Sequence, residues 1–257
     1  MKQTLKQEVL MSLDRVRYEI KLAAKALGLT PLALLAPVGL LVLAQHVVLH
    51  QSSGHVLLAS VEMLLPTAAS VIVTATLAHD AAAELQLSMP RPYHTTGMLR
   101  LALISGWMAC LAALTLGGMD VFRLLYVPRF AQASAPWVVA LLAQLLWLAP
   151  LAWMVGVGLC LALLTTSRTA SGALIGGIWL LDVLFVGTLA QTVWLRPFLL
   201  FPATLVLFPA TDARRADVIT YWLDTRLELL AMAAALLVVG WLLLHDTEGL
   251  LKGATEE

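Results

Sequence analysis

Between Thr30 and His50 lie about twenty residues with no Lys, Arg, Asp or Glu, enough at 1.5 Å per helical residue to cross a hydrocarbon layer of about 30 Å. The pattern recurs at Leu57 to Leu77, Leu99 to Gly118, Trp137 to Leu164, Gly172 to Trp194 and Leu227 to Leu244. Each run is apolar and long enough to span. The fold class implied is an all-α polytopic membrane protein with six transmembrane helices.

Composition excludes a water-soluble alternative. Hydrophobic residues make up 60% of the chain and charged residues 12%, with a mean hydropathy of +0.88, whereas a soluble domain carries about 25% charged residues. Sixteen basic residues balance sixteen acidic ones, so no electrostatic footprint for nucleic acid is present. Cys110 and Cys160 both fall inside apolar runs, where they read as small buried hydrophobes rather than as a disulfide or metal pair.

The basic residues set an orientation. With the N-terminus inside, Lys2, Lys6, Arg15, Arg17, Lys21, Lys25, Arg91, Arg100, Arg168 and Lys252 face the cytoplasm, and Arg123, Arg129, Arg196, Arg214, Arg215 and Arg226 face outward. The first span usually dominates, and every basic residue ahead of it is on one side, so both termini are placed in the cytoplasm. The first span then reads as a retained signal anchor.

Three stretches outside the spans carry information. From Val9 to Leu27, apolar Leu10, Leu13, Val16, Ile20 and Leu27 recur at helical spacing among Asp14, Arg15, Arg17, Lys21 and Lys25, the pattern of an amphipathic helix lying in the headgroup plane or on a partner protein. From His79 to Arg100, Asp80 and Glu84 close the second span and Ser88-Met89-Pro90-Arg91-Pro92-Tyr93-His94-Thr95-Thr96 follows. This predicts a helical extension broken by prolines, either a protruding cytoplasmic knob or a solvated loop. From Leu195 to Arg226, Pro197, Pro202 and Pro209 interrupt an apolar run too short to cross, which predicts a reentrant segment in the outer leaflet. Trp137, Trp194 and Trp222 fall at predicted outer ends, as aromatic-belt residues do.

Within the spans, Glu62, Gln144 and Asp182 are polar positions. A buried carboxylate is costly and marks either a pathway or a packing contact, and both alternatives stand for Asp182. Gly172 and Gly176 make a G-x-x-x-G face on the fifth span, with Gly177 beside it; such a face permits close helix approach within or between subunits. His46, His50 and His55 cluster near the outer end of the first span and read as interfacial rather than ligating. No Walker-type phosphate loop, Gly-x-Ser-x-Gly elbow or His-Glu-x-x-His helix occurs.

The amphipathic N-terminal helix, the six spans, the acidic extension with Glu84 ahead of Ser-Met-Pro, the broken piece after span five and the Trp222-x-x-x-Arg226 approach to the last span together resemble the ABC-2 class of ABC transporter permeases. The resemblance covers essentially the whole chain as one transmembrane domain, 1–257, and rests on layout. It implies a connecting helix at 8–27, a coupling loop at 80–98 and an outer reentrant segment at 195–226. It implies that Asp80, Glu84, Ser88, Pro90, Arg91, Tyr93 and His94 couple the permease to an ATPase. A translocation pathway is expected past Glu62, Gln144 and Asp182, and a dimer contact at Gly172 and Gly176.

The implied complex is a permease dimer, a homodimer or a heterodimer, in the inner (cytoplasmic) membrane with two ABC ATP-binding subunits. No catalytic residue, metal or cofactor is expected in this chain, ATP and magnesium belonging to the partner subunit. Unlike some relatives, the chain inserts no large extracellular domain. The expected activity is ATP-driven export of a lipid, a drug-like molecule or a peptide. A secondary transporter, an intramembrane enzyme and a noncatalytic scaffold are the alternatives; the first calls for inverted repeats, which the sequence does not display.

Overall fold

The structure, a computed structural model, describes residues 28–45, 48, 54–78, 93–121, 135–165, 167–202 and 221–245. Among them, six helices are long and apolar enough to cross a membrane: α1 (Gly28–Gln45), α2 (Gly54–Leu77), α3 (Tyr93–Val121), α4 (Pro136–Thr165), α5 (Arg168–Gln191) and α6 (Trp222–Leu243). A 3-10 turn, Val193–Phe198, follows α5. No strand occurs among the described residues. The helices are apolar nearly all round rather than striped, as expected where the solvent itself is hydrocarbon.

Local chemistry explains the ends. Pro92 immediately precedes α3 and Pro136 opens α4, positions where a missing N–H costs no helical hydrogen bond. Ser167 caps α5, its hydroxyl accepting from the Ala170 N–H. Ser171 Oγ donates to Ser167 O at 2.8 Å and lies 2.7 Å from Thr165 Oγ1, which ties the short connection from α4 into α5. Asp224 sits in the first turn of α6, the favourable end for an acid.

Helix α4 is the hub, with α2 packed along one side and α6 along another. Two glycines permit this. A Cβ on Gly158 would stand 2.6 Å from Ser70 Oγ and 2.9 Å from the Ser70 carbonyl on α2, and one on Gly156 would stand 2.9 Å from Leu236 Cβ on α6. Glycines two residues apart project to opposite sides of a helix, so one helix approaches two neighbours at backbone distance. Leu65, Ile72, Ile104, Met108, Leu146, Leu159 and their neighbours fill the α2–α3–α4 core, with Leu34 and Leu35 of α1 packed against it. A second core joins Ala149, Met154 and Val157 of α4, Ile175 of α5, and Leu229 and Ala233 of α6 around Leu200 and Phe201.

Several boundaries differ from the sequence expectation. Helix α3 starts at Tyr93, so Tyr93, His94, Thr95 and Thr96 of the 80–98 segment are helical. The helix extends past its apolar run, and the His94 ring stacks on His245 beyond the end of α6, with centroids 4.1 Å apart. Trp222 to Arg226, at the end of the 195–226 segment, form the first turn of α6. Trp222 is buried against the core, whereas Trp137 and Trp194 are exposed; the belt expectation fails for Trp222 because its ring packs inward in the same helical turn as Arg226. Arg226, an outward-facing charge by its place in the sequence, is fully buried, and Arg100 is also buried. Helix α5 ends at Gln191, placing Trp194 in the 3-10 turn.

Candidate functional site

Where α5 ends, the backbone does not leave the bundle. Thr192 caps the helix and the 3-10 turn follows, with Arg196 Nε donating to the Ala190 carbonyl at 3.1 Å. Leu199 to Pro202 then run in irregular conformation yet are buried, Leu200 and Phe201 almost completely. Irregular backbone at membrane depth requires partners for its peptide groups, since hydrocarbon supplies none.

Two side chains supply those partners at Leu200. Its N–H donates to Asp182 Oδ1 of α5 at 3.0 Å, and its carbonyl accepts from Arg226 Nη1 of α6 at 2.9 Å. The other arm of the guanidinium, Nη2, donates to Glu62 Oε1 of α2 at 2.5 Å. A single arginine thereby joins the Leu200 backbone to a carboxylate on α2, using the planar fork that lysine lacks. The Arg226 guanidinium also lies over the Trp222 ring, 5.9 Å from its centroid, as residues four apart on a helix can. Pro66 sits one turn after Glu62 and lacks the amide that would ordinarily bond the Glu62 carbonyl.

The carboxylates of Glu62 and Asp182 are thus brought into one buried cluster, on either side of Arg226. The Phe201 amide also lies against the Asp182 carboxylate, whose buried Oδ2 has no hydrogen bond of regular geometry among the described residues. Beside it a cavity of about 430 Å³ is lined by Trp153, Ile178, Leu181, Phe185 and Leu200 among others, with Asp182 the one ionisable group among the described residues of its wall. Volumes of about 300–1,000 Å³ are those of small-molecule sites.

Gln144 is not part of this arrangement. Its Oε1 accepts from Trp147 Nε1 on the same helix at 2.9 Å, and it does not line the cavity. A methyl group added at Gly172 or Gly176 would have no atom within 4 Å, so their face of α5 is open among the described residues of the subunit. Asp80, Glu84, Ser88, Pro90, Arg91, the 8–27 segment and residues 203–220 lie outside the described residues; Tyr93 and His94 begin α3. Among the described residues no three His, Cys, Asp or Glu side chains group as metal ligands would.

Arg226 is the residue that sequence reasoning passes over. Its spacing from Trp222 is visible, but the natural place for an arginine near a helix end is the headgroup layer. The available signal is arithmetic: two carboxylates inside spans call for a cation at similar depth. No family model matches the chain, and no curated protein or solved structure matches it either.

Proposed function

We propose that the chain is the membrane-spanning permease subunit of an ATP-driven transporter of the ABC-2 class, exporting an amphipathic or hydrophobic substrate. The observation that supports this reading is the layout: six bilayer-length helices, with the stretch Leu199 to Pro202 after the fifth buried and bonded through Leu200 to α5 and α6.

In this reading the subunit performs no covalent chemistry. Two ATP-binding subunits, which hold ATP and magnesium, close on the cytoplasmic face. The segment around Asp80 to Arg91 transmits that closure to α2 and α3, the helices it connects. Because α2 packs on α4 and α4 on α6, movement at the cytoplasmic ends reaches the Glu62–Arg226–Leu200–Asp182 cluster through packed helices. ATP binding then biases a two-state bundle between inward and outward cavities.

The test is copurification. A tagged chain extracted from its native membrane is expected to carry an ABC-type ATPase in about equal amount, as a permease dimer with two ATPases requires. Glu84→Lys, or deletion of residues 89–92, is expected to detach that partner or abolish hydrolysis by the complex while the melting temperature of the membrane subunit stays unchanged. The deletion stops at Pro92 because Tyr93 opens α3. Absence of any ATPase would remove the class assignment. Full ATPase recovery and full hydrolysis in both variants would remove the loop as the coupling element.

A further inference from the structure

We propose that the groove along the second half of α5 holds one acyl chain of a membrane phospholipid. Its wall includes Ile178, Leu181, Phe185 and Leu189 of α5 with Leu195 and Phe198 of the 3-10 turn. Asp182 borders it as well, but that side chain is 4% exposed and its Oδ1 accepts from the Leu200 amide, so apart from Thr188 the accessible wall is hydrocarbon. Water would find few of the polar partners it needs there. The groove is open to the outside of the subunit: Leu181 and Phe185 are each more than half exposed, on a helix long and apolar enough to span. Left unfilled, a concave apolar wall forfeits dispersion contacts, and in a bilayer, where burial alone gives no driving force, such contacts are what favours one extended chain in the groove.

Dimensions select the occupant. From Ile178 to Leu189 the groove follows α5 for roughly 16 Å at 1.5 Å per residue, and this stretch is the second half of a helix that runs Arg168–Gln191. Half of a hydrocarbon core of about 30 Å is one leaflet, the depth that one lipid tail covers. A volume of about 430 Å³ over that length gives a mean cross-section of roughly 27 Å², one hydrocarbon chain wide. Trp194, 74% exposed in the adjoining 3-10 turn, sets that end at headgroup level, so the chain enters beside the turn and runs toward the bilayer centre. The open glycine face does not compete for the site. Nine residues make two and a half helical turns, which puts Gly172 and Gly176 on the side of α5 opposite Leu181 and Phe185.

This assignment rests on membrane insertion of the helices and not on the permease reading, and it is measured on the full chain with no ATPase present. The subunit is reconstituted with palmitoyl-oleoyl phosphatidylcholine or with the matching phosphatidylglycerol, transferred to a sterol-based detergent that has no alkyl chain to compete, washed, and weighed by native mass spectrometry. About one phospholipid per chain is expected to survive the wash, with either headgroup, because the wall reads a tail. Leu181→Trp, which adds bulk at an exposed wall position, is expected to lower the retained lipid severalfold. Leu184→Trp, equally exposed on α5 but not part of the wall, is expected to retain it. No retained lipid on wild type would assign the groove to another segment of the chain or to a second copy and overturn the proposal. Equal retention in Leu181→Trp and Leu184→Trp, or retention of the anionic lipid alone, would overturn it too. Should Leu181→Trp not fold, Thr188→Trp, at another exposed wall position, makes the same comparison.

Discussion

Arg226 on α6 and Glu62 on α2, 164 residues apart, form an ion pair of 2.5 Å with both side chains 1% exposed. Each of these helices packs chiefly on α4, so the pair links two helices that otherwise touch little. Arg226 also holds the Leu200 carbonyl, which makes the helix-to-helix contact and the buried stretch after α5 one connected network.

Breaking a buried pair from one side strands a charge, at about 3–5 kcal/mol, whereas replacing both partners by apolar residues of similar volume is often far cheaper. Glu62→Met and Arg226→Met are each expected to lower the stability of the purified subunit strongly. The double substitution is expected to cost less than the two singles combined, with a coupling of about 2 kcal/mol. Some loss persists in the double variant because the Leu200 carbonyl has lost its donor. Additive melting shifts would show that the two residues are not coupled.

If the proposed permease function holds, one substitution at Asp182 separates structure from transport. Asparagine keeps an oxygen for the Leu200 N–H, while leucine leaves that buried amide unsatisfied at about 1–3 kcal/mol. Asp182→Asn is expected to melt near wild type yet hydrolyse ATP more slowly in the assembled complex, and Asp182→Leu to lose both stability and activity. Full activity in Asn with instability only in Leu would make Asp182 a packing residue.

The six spans are legible in the sequence because bilayer thickness imposes a length that a linear scan detects. The polar network is not. Hydropathy places Glu62 and Asp182 inside the membrane but says nothing about which residue faces them across the bundle, and Arg226 sits at a helix start where a solvated arginine is ordinary. The α3 boundary escapes for a related reason: His94, Thr95 and Thr96 read as loop by polarity, yet a helix that projects beyond its apolar run keeps its backbone bonds, and the contact of His94 with His245 lies 151 residues away in sequence. The glycines invert the usual signal. Gly172 and Gly176 have the familiar i, i+4 spacing but no neighbour among the described residues of the subunit, whereas Gly156 and Gly158 have no familiar spacing and touch two helices.

Orientation is testable independently of function. Arg226 and Arg100 are buried and do not count as loop charges, but removing one from each side leaves the basic bias toward the N-terminal face. Single cysteines at Gln7 and Thr255 are expected to react with impermeant maleimide only in opened or inverted membranes, and one at Ala216 in intact cells. The background needs Cys110→Ser, since Cys110 is exposed, and Cys160→Ser, which keeps a donor for the Leu236 carbonyl now bonded by Cys160 Sγ at 3.3 Å. Labelling at position 7 from outside would invert the topology and remove the cytoplasmic role of the segment around Glu84.

The two kinds of glycine predict opposite outcomes for the same chemical change. At Gly158 an added methyl meets the Ser70 hydroxyl and, worse, the Ser70 backbone, so α2 and α4 must separate; overpacking of this kind costs about 1–3 kcal/mol. At Gly172 and Gly176 the methyl meets nothing, and alanine gains up to about 1 kcal/mol over glycine in a helix interior. Gly158→Ala is therefore expected to lower the melting temperature of the isolated subunit, and Gly172→Ala and Gly176→Ala to leave it unchanged or raise it. If the open α5 face is where two permease copies meet, Gly176→Leu lowers the crosslinkable dimer fraction without lowering the melting temperature of the monomer, because only a partner's backbone needs that space. A dimer fraction unaffected by Gly176→Leu, with subunit stability intact, would assign this face to lipid and move the dimer contact to another helix.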